Sequence, residues 1–166
     1  MITGRGRPSV RFITQLALKQ ALTVAGTSMG NLQLLDLQSG ELGIVSHVGF
    51  SQEFLTYFQA VRLGDGSVCS RALMAKQPVS IVDVMRDEEF APHRTIAEAH
   101  GFRGVHSTPL VTQSGLLVGV LSTHFNVPRV LTAVEAQELR NIAASATDEI
   151  VRELAGVRHP LLDPLP

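Results

Sequence analysis

The single cysteine, Cys69, is the most reactive nucleophile that this sequence offers. It stands two residues after Ser67, at the predicted start of a short helix, where a thiol can have a lowered pKa. With one cysteine in the chain, an intramolecular disulfide is excluded. The alternative reading of Cys69 is a small apolar side chain that faces a pocket, and this reading is favoured.

Four histidines could serve as metal ligands: His93, His100, His106 and His124. Zinc sites commonly use pairs at positions i and i+4 of a helix, and no pair here has that spacing. His106 and His124 lie on adjacent predicted strands, but the turn between them does not place them opposite each other. The sequence therefore predicts no metal site, and haem bound through one histidine is equally unsupported.

Acidic residues cluster in one predicted loop, where Asp87, Glu88 and Glu89 follow Asp83 at the end of a strand. Paired carboxylates can perform acid–base catalysis, but consecutive acids in a loop are usually solvated. Asp83 is expected to hold a backbone turn or a ligand hydroxyl. Because G-x-S-x-G, Walker and Cys–His patterns are also absent, no catalytic residue is predicted.

The segment Gly64-Asp65-Gly66-Ser67 leads into the helix that carries Cys69. Free backbone N–H groups at a helix start can bind an anion, which makes Gly66 and Ser67 candidate ligand contacts. The same four residues also fit an ordinary loop and helix cap.

The composition is that of a globular protein, with 45% hydrophobic and 17% charged residues in 166 positions. The net charge of −1 gives no basic surface for nucleic acid or a membrane. Met1 to Pro8 lacks the apolar segment of a signal peptide, and no apolar run reaches membrane-spanning length. We therefore expect a cytoplasmic location.

Hydrophobic periodicity and capping residues predict the elements in order. The prediction comprises a helix from Ser9 to about Ala25, strands over 30–36 and 42–48, short helices after Ser51 and Ser67, a strand over 78–84 that begins with an edge-favouring proline, a helix over 92–100, two strands around a turn at 112–115, and a helix from Thr132 to about Leu154. Residues 9–156 are expected to form one domain, with a mobile N-terminus at 1–8 and a loose tail at 157–166.

Residues 103–125 are predicted to form a hairpin, because Gly115 suits the positive φ of a tight turn. The rest of the chain is expected to pair with this hairpin or to cover one of its faces. Strict alternation in its second strand puts Leu116, Val118 and Val120 on one face and Leu117, Leu121 and Phe125 on the other. Apolar residues on both faces predict a central strand that is covered on both sides. Gly119 would allow another group to approach closely.

An antiparallel sheet with two apolar faces predicts an α+β fold with two covering layers. The long terminal helices would cover one face, and the short middle helices the other. A pocket between the sheet and the middle helices would be walled by Phe54, Phe58, Val82, Phe90, Ile96, Phe102 and Ser107. The alternative is that these residues fill the space as core.

The order and spacing of several segments resemble the GAF domain family over about residues 25–149. The matching segments are G-N-L-Q-L-L-D, G-F followed by E-F-L, G-S-V-C-S-R-A-L, V-S-I-V-D-V, F-A-P-H, and S-T-P-L-V-T-Q-S-G-L-L-V-G-V-L-S-T-H-F. The chain looks similar to GAF domains of bacterial sensor histidine kinases. The resemblance implies a PAS-like antiparallel sheet with terminal helices on one face and a ligand pocket on the other.

Family members bind cyclic nucleotides, tetrapyrroles, haem or small metabolites, and many dimerise. The cyclic-nucleotide signature and the bilin-attaching cysteine pattern are absent, so the resemblance identifies no cofactor. It implies a non-catalytic sensor that binds a small molecule, forms a homodimer through its terminal helices and acts on a signalling partner protein. With Gly66, Ser67, Cys69 and Asp83, the pocket residues above form the candidate ligand site.

Two other functions stay open. One GAF branch, the free methionine sulfoxide reductases, carries a redox cysteine at the position of Cys69. That branch needs a second cysteine to resolve the oxidised thiol, and this sequence has none. The other function is a dimerisation module whose core is filled.

Overall fold

The computed structural model describes residues 8–156. The predicted mobile N-terminus, except Pro8, and the predicted loose tail at 157–166 lie outside the described residues. The helices are α1 (Val10–Ala25), α2 (Gln52–Tyr57), α3 (Val68–Ala75), α4 (Arg94–His100) and α5 (Ala133–Gly156). The strands are β1 (Met29–Asp36), β2 (Glu41–Val48), β3 (Val61–Arg62), β4 (Val79–Ile81), β5 (Gly104–Val111) and β6 (Leu117–Phe125).

Local capping defines the ends of the two long helices. Ser9 Oγ accepts a hydrogen bond from the Phe12 amide, and Gly26 ends α1 in the left-handed conformation with φ of 63°. At the start of α5, Thr132 and Glu135 exchange side-chain-to-backbone hydrogen bonds as a capping box. These boundaries agree with the prediction because each depends on residues close together in the chain.

The six strands form one antiparallel sheet in the order β3-β2-β1-β6-β5-β4. Strand β6 lies between β1 and β5, which confirms that it is central. Strand β4 lies at the edge that its leading Pro78 favours. The two-residue strand β3 was not predicted, since a pair this short has no periodicity.

A β-bulge in β6 changes which side chains face each layer. Leu110 pairs with Gly119 while the next residue, Val111, pairs with Leu117, so Val118 is an extra residue in β6. Val118 and Leu121 therefore pack toward the long helices, and Leu117 and Val120 pack toward the opposite layer. The predicted strict alternation is wrong at this point, because the bulge reverses it.

Gly119 supports this bulge by leaving room for the neighbouring strand. A Cβ atom there would overlap the carbonyl oxygen of Gln33 on β1. The predicted close approach at this glycine is confirmed, and the approaching group is backbone.

Two hydrophobic cores lie on the two faces of the sheet, as predicted for this α+β fold. Helices α1 and α5 cover one face, where Leu18, Leu32, Leu121 and Ile150 are buried. The middle segments, which are α2, α3, α4 and the loops beside them, cover the other face. They contribute the side chains of Phe54, Phe58, Leu73, Phe90, Ile96 and Phe102. Within residues 8–156, every helix is too short or too polar to cross a membrane.

Candidate functional site

A cavity of about 30 Å³ lies between the sheet and the middle segments. One water molecule needs roughly 10–15 Å³, so the space holds a few water molecules or a few ligand atoms. Pockets for drug-sized ligands occupy about 300–1,000 Å³. The cavity is lined by Asn31, Gln33, Phe54, Phe58, Ser67, Val68, Cys69, Phe90, Phe102, Val105, Ser107, Ser122 and His124.

Polar side chains cross the floor of the cavity in one row. The sheet register places Asn31 on β1 opposite Ser122 on β6, and Ser122 opposite Ser107 on β5. The two serine hydroxyls form a buried hydrogen bond of 2.7 Å. Three adjacent strands therefore each present a polar group to the same side of the sheet.

Three side chains of the lining have a buried polar atom without a hydrogen-bond partner among residues 8–156. These atoms are Asn31 Oδ1, Gln33 Oε1 and His124 Nδ1. Asn31 is 4% exposed, Gln33 is 1% exposed and His124 is 6% exposed. Leaving buried polar groups unpaired destabilises a fold, so such groups normally bind water or a ligand.

His124 lies in an aromatic environment. Its ring makes edge-to-face contacts with Phe50 and Phe102, with centroid distances of 4.9 and 4.8 Å. Burial lowers the pKa of His124 to about 3, because few groups nearby can solvate a charged imidazolium. The ring is therefore neutral near pH 7 and can both donate and accept a hydrogen bond.

Cys69 lines the cavity with a protonated thiol. Burial raises its pKa to about 11, and this effect exceeds that of the hydrogen bond between Ser67 Oγ and Cys69 Sγ, which are 3.3 Å apart. The position of Cys69 at the start of α3 therefore does not lower the pKa of its thiol, which was the possibility considered from the sequence.

Seven of the predicted site residues line the cavity: Phe54, Phe58, Ser67, Cys69, Phe90, Phe102 and Ser107. They come from α2 and α3 with their capping residues Phe58 and Ser67, from β5, and from the loops beside α4. That they contact a ligand stays a prediction.

The other four predicted residues do not line the cavity. Val82 is 43% exposed, and Ile96 is buried in the core behind the lining. Asp83 accepts a hydrogen bond from the Met85 amide and pairs with Arg103, whose hydrogen bond lowers the pKa of the Asp83 carboxyl. Gly66 lies against the backbone of Glu89. Val82 therefore does not line the cavity, because the chain turns outward after β4, and Ile96 on α4 packs in the adjacent core.

Asn31, Gln33, Ser122 and His124 carry the polar character of the cavity, and sequence reasoning did not assign them to it. In β1, Asn31 and Gln33 alternate with Leu32 and Leu34, whereas in β6 the polar residues Ser122, Thr123 and His124 are consecutive. The alternation in β1 was the available signal, because residues at every second position of a strand share one face of the sheet. The continuous polar run in β6 offered no such signal.

The side chains of His93 and His100 have structural contacts. His93 bonds to Tyr57 and to the Asp65 carbonyl, and His100 bonds to Ser51 and to the Ile96 carbonyl. Within residues 8–156 no cluster of three potential metal ligands occurs.

His106 and His124 face opposite sides of the sheet. His106 pairs with Thr123, whereas His124 pairs with Val105. The prediction that the two rings are not opposite each other is confirmed.

Known structures share this fold. A GAF domain from a phosphoenolpyruvate-protein phosphotransferase of Coxiella burnetii superposes with a TM-score of 0.79 at 16% identity, covering 92% of this chain and 89% of that one. A domain described as part of a two-component sensor histidine kinase from Sinorhizobium meliloti gives 0.75 at 17% identity, with coverage of 90% and 96%. The blue-light absorbing form of the Thermosynechococcus elongatus PixJ GAF domain gives 0.70 at 15% identity, with coverage of 90% and 88%.

No curated protein matches the chain. The family model described as GAF domain matches residues 9–151, which is most of the sequence. The chain belongs to the GAF domain family.

Proposed function

We propose that this GAF domain is a non-catalytic, cytoplasmic sensor module of bacterial signal transduction that binds a small molecule in the cavity. The observation that carries the proposal is the group of three unpartnered polar side chains around one buried space. A core without a binding role would be expected to replace Asn31 and Gln33 with apolar residues, because unpaired buried amides destabilise the fold.

The strands offer a direct connection from the cavity to the long helices. Asn31 and Gln33 line the cavity, while Leu32 between them packs into the core formed by α1 and α5. In β6, Ser122 lines the cavity and the adjacent Leu121 packs into the same helix-side core. A ligand that moves β1 or β6 would therefore move side chains that hold the helices.

The test is thermal melting in the low-molecular-weight fraction of a bacterial extract. A ligand at ten times its dissociation constant stabilises the fold by about 1.4 kcal/mol, which raises the melting temperature by roughly 3–6 °C for a chain of this size. We expect this rise in the wild type and its loss in Gln33→Leu. The matched variant Gln38→Leu, in the exposed turn after β1, should keep the rise. Absence of a rise in the wild type, or an equal rise in Gln33→Leu, would contradict the proposal.

Signal output through the helices requires a partner copy of the chain, and we propose a homodimer joined through α1 and α5. Ile13 on α1 is 3% exposed and belongs to the core, so it is not available for a contact with a partner. Phe12 at 56% and Leu16 at 42% exposure present apolar surface on α1, and Ala144 is exposed on α5. Paired helices that slide or turn would then act on a signalling partner protein.

Sedimentation at micromolar concentration tests the dimer. We expect a dimer in the wild type and dissociation in Phe12→Glu, because a charge at the centre of an apolar contact is poorly solvated. Val130→Glu is the control, since Val130 is 73% exposed in the loop before α5. A wild-type chain that stays monomeric as its concentration rises would contradict both the proposed homodimer and signalling through paired helices.

The alternative of a sulfoxide reductase that uses Cys69 is disfavoured by the raised pKa of the thiol and by the single cysteine in the sequence. We expect Cys69→Ser to change the melting temperature and the extract-induced rise only slightly, since both side chains are small. Loss of free methionine sulfoxide in the presence of wild type, abolished in Cys69→Ser, would favour the enzyme.

A further inference from the structure

The volume of the cavity restricts the ligand of the proposed sensor. About 30 Å³ of space accommodates a few non-hydrogen atoms in the described conformation. The phenyl rings of Phe54, Phe58, Phe90 and Phe102 line the space on the side away from the sheet. A nucleotide, a tetrapyrrole or any other large ring system would require the surrounding core to open.

The lining carries no charge. Among the described residues that line the cavity there is no Asp, Glu, Lys or Arg, and His124 is neutral at physiological pH. An ion in this space would lose its hydration without gaining a counter-ion. The phenyl faces could attract a cation, but this attraction is smaller than the desolvation of a buried ion.

The polar groups of the lining are amides, hydroxyls and one imidazole. An amide side chain carries both donors and an acceptor, and a neutral imidazole carries one of each. The best-matched ligand therefore presents both donors and acceptors over a short distance. An apolar gas or a small hydrocarbon would leave the amides of Asn31 and Gln33 unpaired.

We infer that the cavity selects a compact, uncharged molecule that both donates and accepts hydrogen bonds, of the amide or urea class. This inference rests on the proposed sensor function and specifies the ligand of the same site. Binding is weak to moderate, because a ligand of about four heavy atoms gains at most about 6 kcal/mol, which corresponds to a dissociation constant of about 4 × 10⁻⁵ M.

The experiment uses two pairs of probes that match in shape and differ in charge: acetamide with acetate, and urea with guanidinium. Side-chain amide signals of Asn31 and Gln33 are followed by nuclear magnetic resonance during titration at neutral pH and millimolar probe concentration. We expect a saturable shift with at least one neutral probe, and at least tenfold weaker binding of its charged counterpart.

Variants test whether the cavity is the site of that shift. Gln33→Leu should weaken binding of the neutral probe about tenfold, because it removes one hydrogen-bonding partner. Gln38→Leu makes the same chemical change in an exposed turn and should leave binding unchanged. If Gln33→Leu fails to fold, Asn31→Leu replaces it, with the Gln33 signal as the reporter.

The outcomes separate this inference from the proposed function. Equal or tighter binding of acetate or guanidinium overturns the uncharged class and leaves the sensor function standing. Absence of a shift with all four probes also overturns the inference, and the extract experiment then decides whether a different ligand binds. Wild-type affinity in Gln33→Leu overturns it as well, since the probe would bind elsewhere.

Discussion

Leu121→Asp is expected to abolish cooperative unfolding of the domain. Leu121 is 1% exposed in the central strand, opposite Leu32 on one side and Thr108 on the other, and it packs under the long helices. An unpaired carboxylate at this position costs several kcal/mol, against a total stability of roughly 5–15 kcal/mol for a typical domain. Circular dichroism during heating should show a broad, weak transition or none.

The matched control is Leu37→Asp in the turn between β1 and β2, where the leucine is 48% exposed. This variant makes the same chemical change and should melt within a few degrees of the wild type. If Leu121→Asp also melts cooperatively near the wild-type temperature, β6 is not the buried centre of the sheet.

Acidification is expected to destabilise the domain before its carboxylates are protonated. Burial lowers the pKa of His106 to about 4, with a smaller contribution from Arg140, and lowers the pKa of His124 to about 3. An unfolded histidine has a pKa of about 6.5, so the unfolded state binds more protons as pH falls below that value. Each histidine then costs about 2 kcal/mol of stability at about pH 5, or roughly 4 kcal/mol together.

Urea unfolding at about pH 7.5 and pH 5 measures this loss. Carboxylates such as Asp83 and Glu135 have lowered pKa values in the folded state, and their contribution begins to fall only below about pH 5. His106→Gln and His124→Gln should each remove about half of the pH dependence. His47→Gln, at an exposed position, should leave it intact. An unfolding free energy that is equal at the two pH values would show that both rings take up protons in the folded state.

Much of the fold could be predicted because its signals are local. Ser9, Gly26 and the Thr132–Glu135 box fix helix ends through contacts within a few residues. The positive φ of Gly115 fixes the turn of the central hairpin. The bulge at Val118 could not be predicted, because the extra residue is defined only by the register of the neighbouring strand.

The candidate site was less predictable, because like the bulge it depends on the register of neighbouring strands. Large aromatic residues such as Phe54 and Phe102 line the cavity, and the sequence could propose them because bulky apolar side chains on or beside short helices must cover the sheet. The polar row depends on which residues of three strands stand opposite each other. Asn31, Ser122 and Ser107 are far apart in the chain, and only the sheet register brings them together.

The central claim is that ligand binding in the cavity changes the packing of the long helices α1 and α5. The most direct measurement records nuclear magnetic resonance spectra with and without the low-molecular-weight bacterial fraction. It compares the side-chain amides of Asn31 and Gln33 with the methyl groups of Ala146 and Ile150 on α5, which pack on the opposite face of the sheet. We predict that both sets of signals shift with the same concentration dependence, and that Gln33→Leu weakens both together. Cavity signals that shift while the α5 methyl groups stay unchanged, or no shift in either set, would contradict the account.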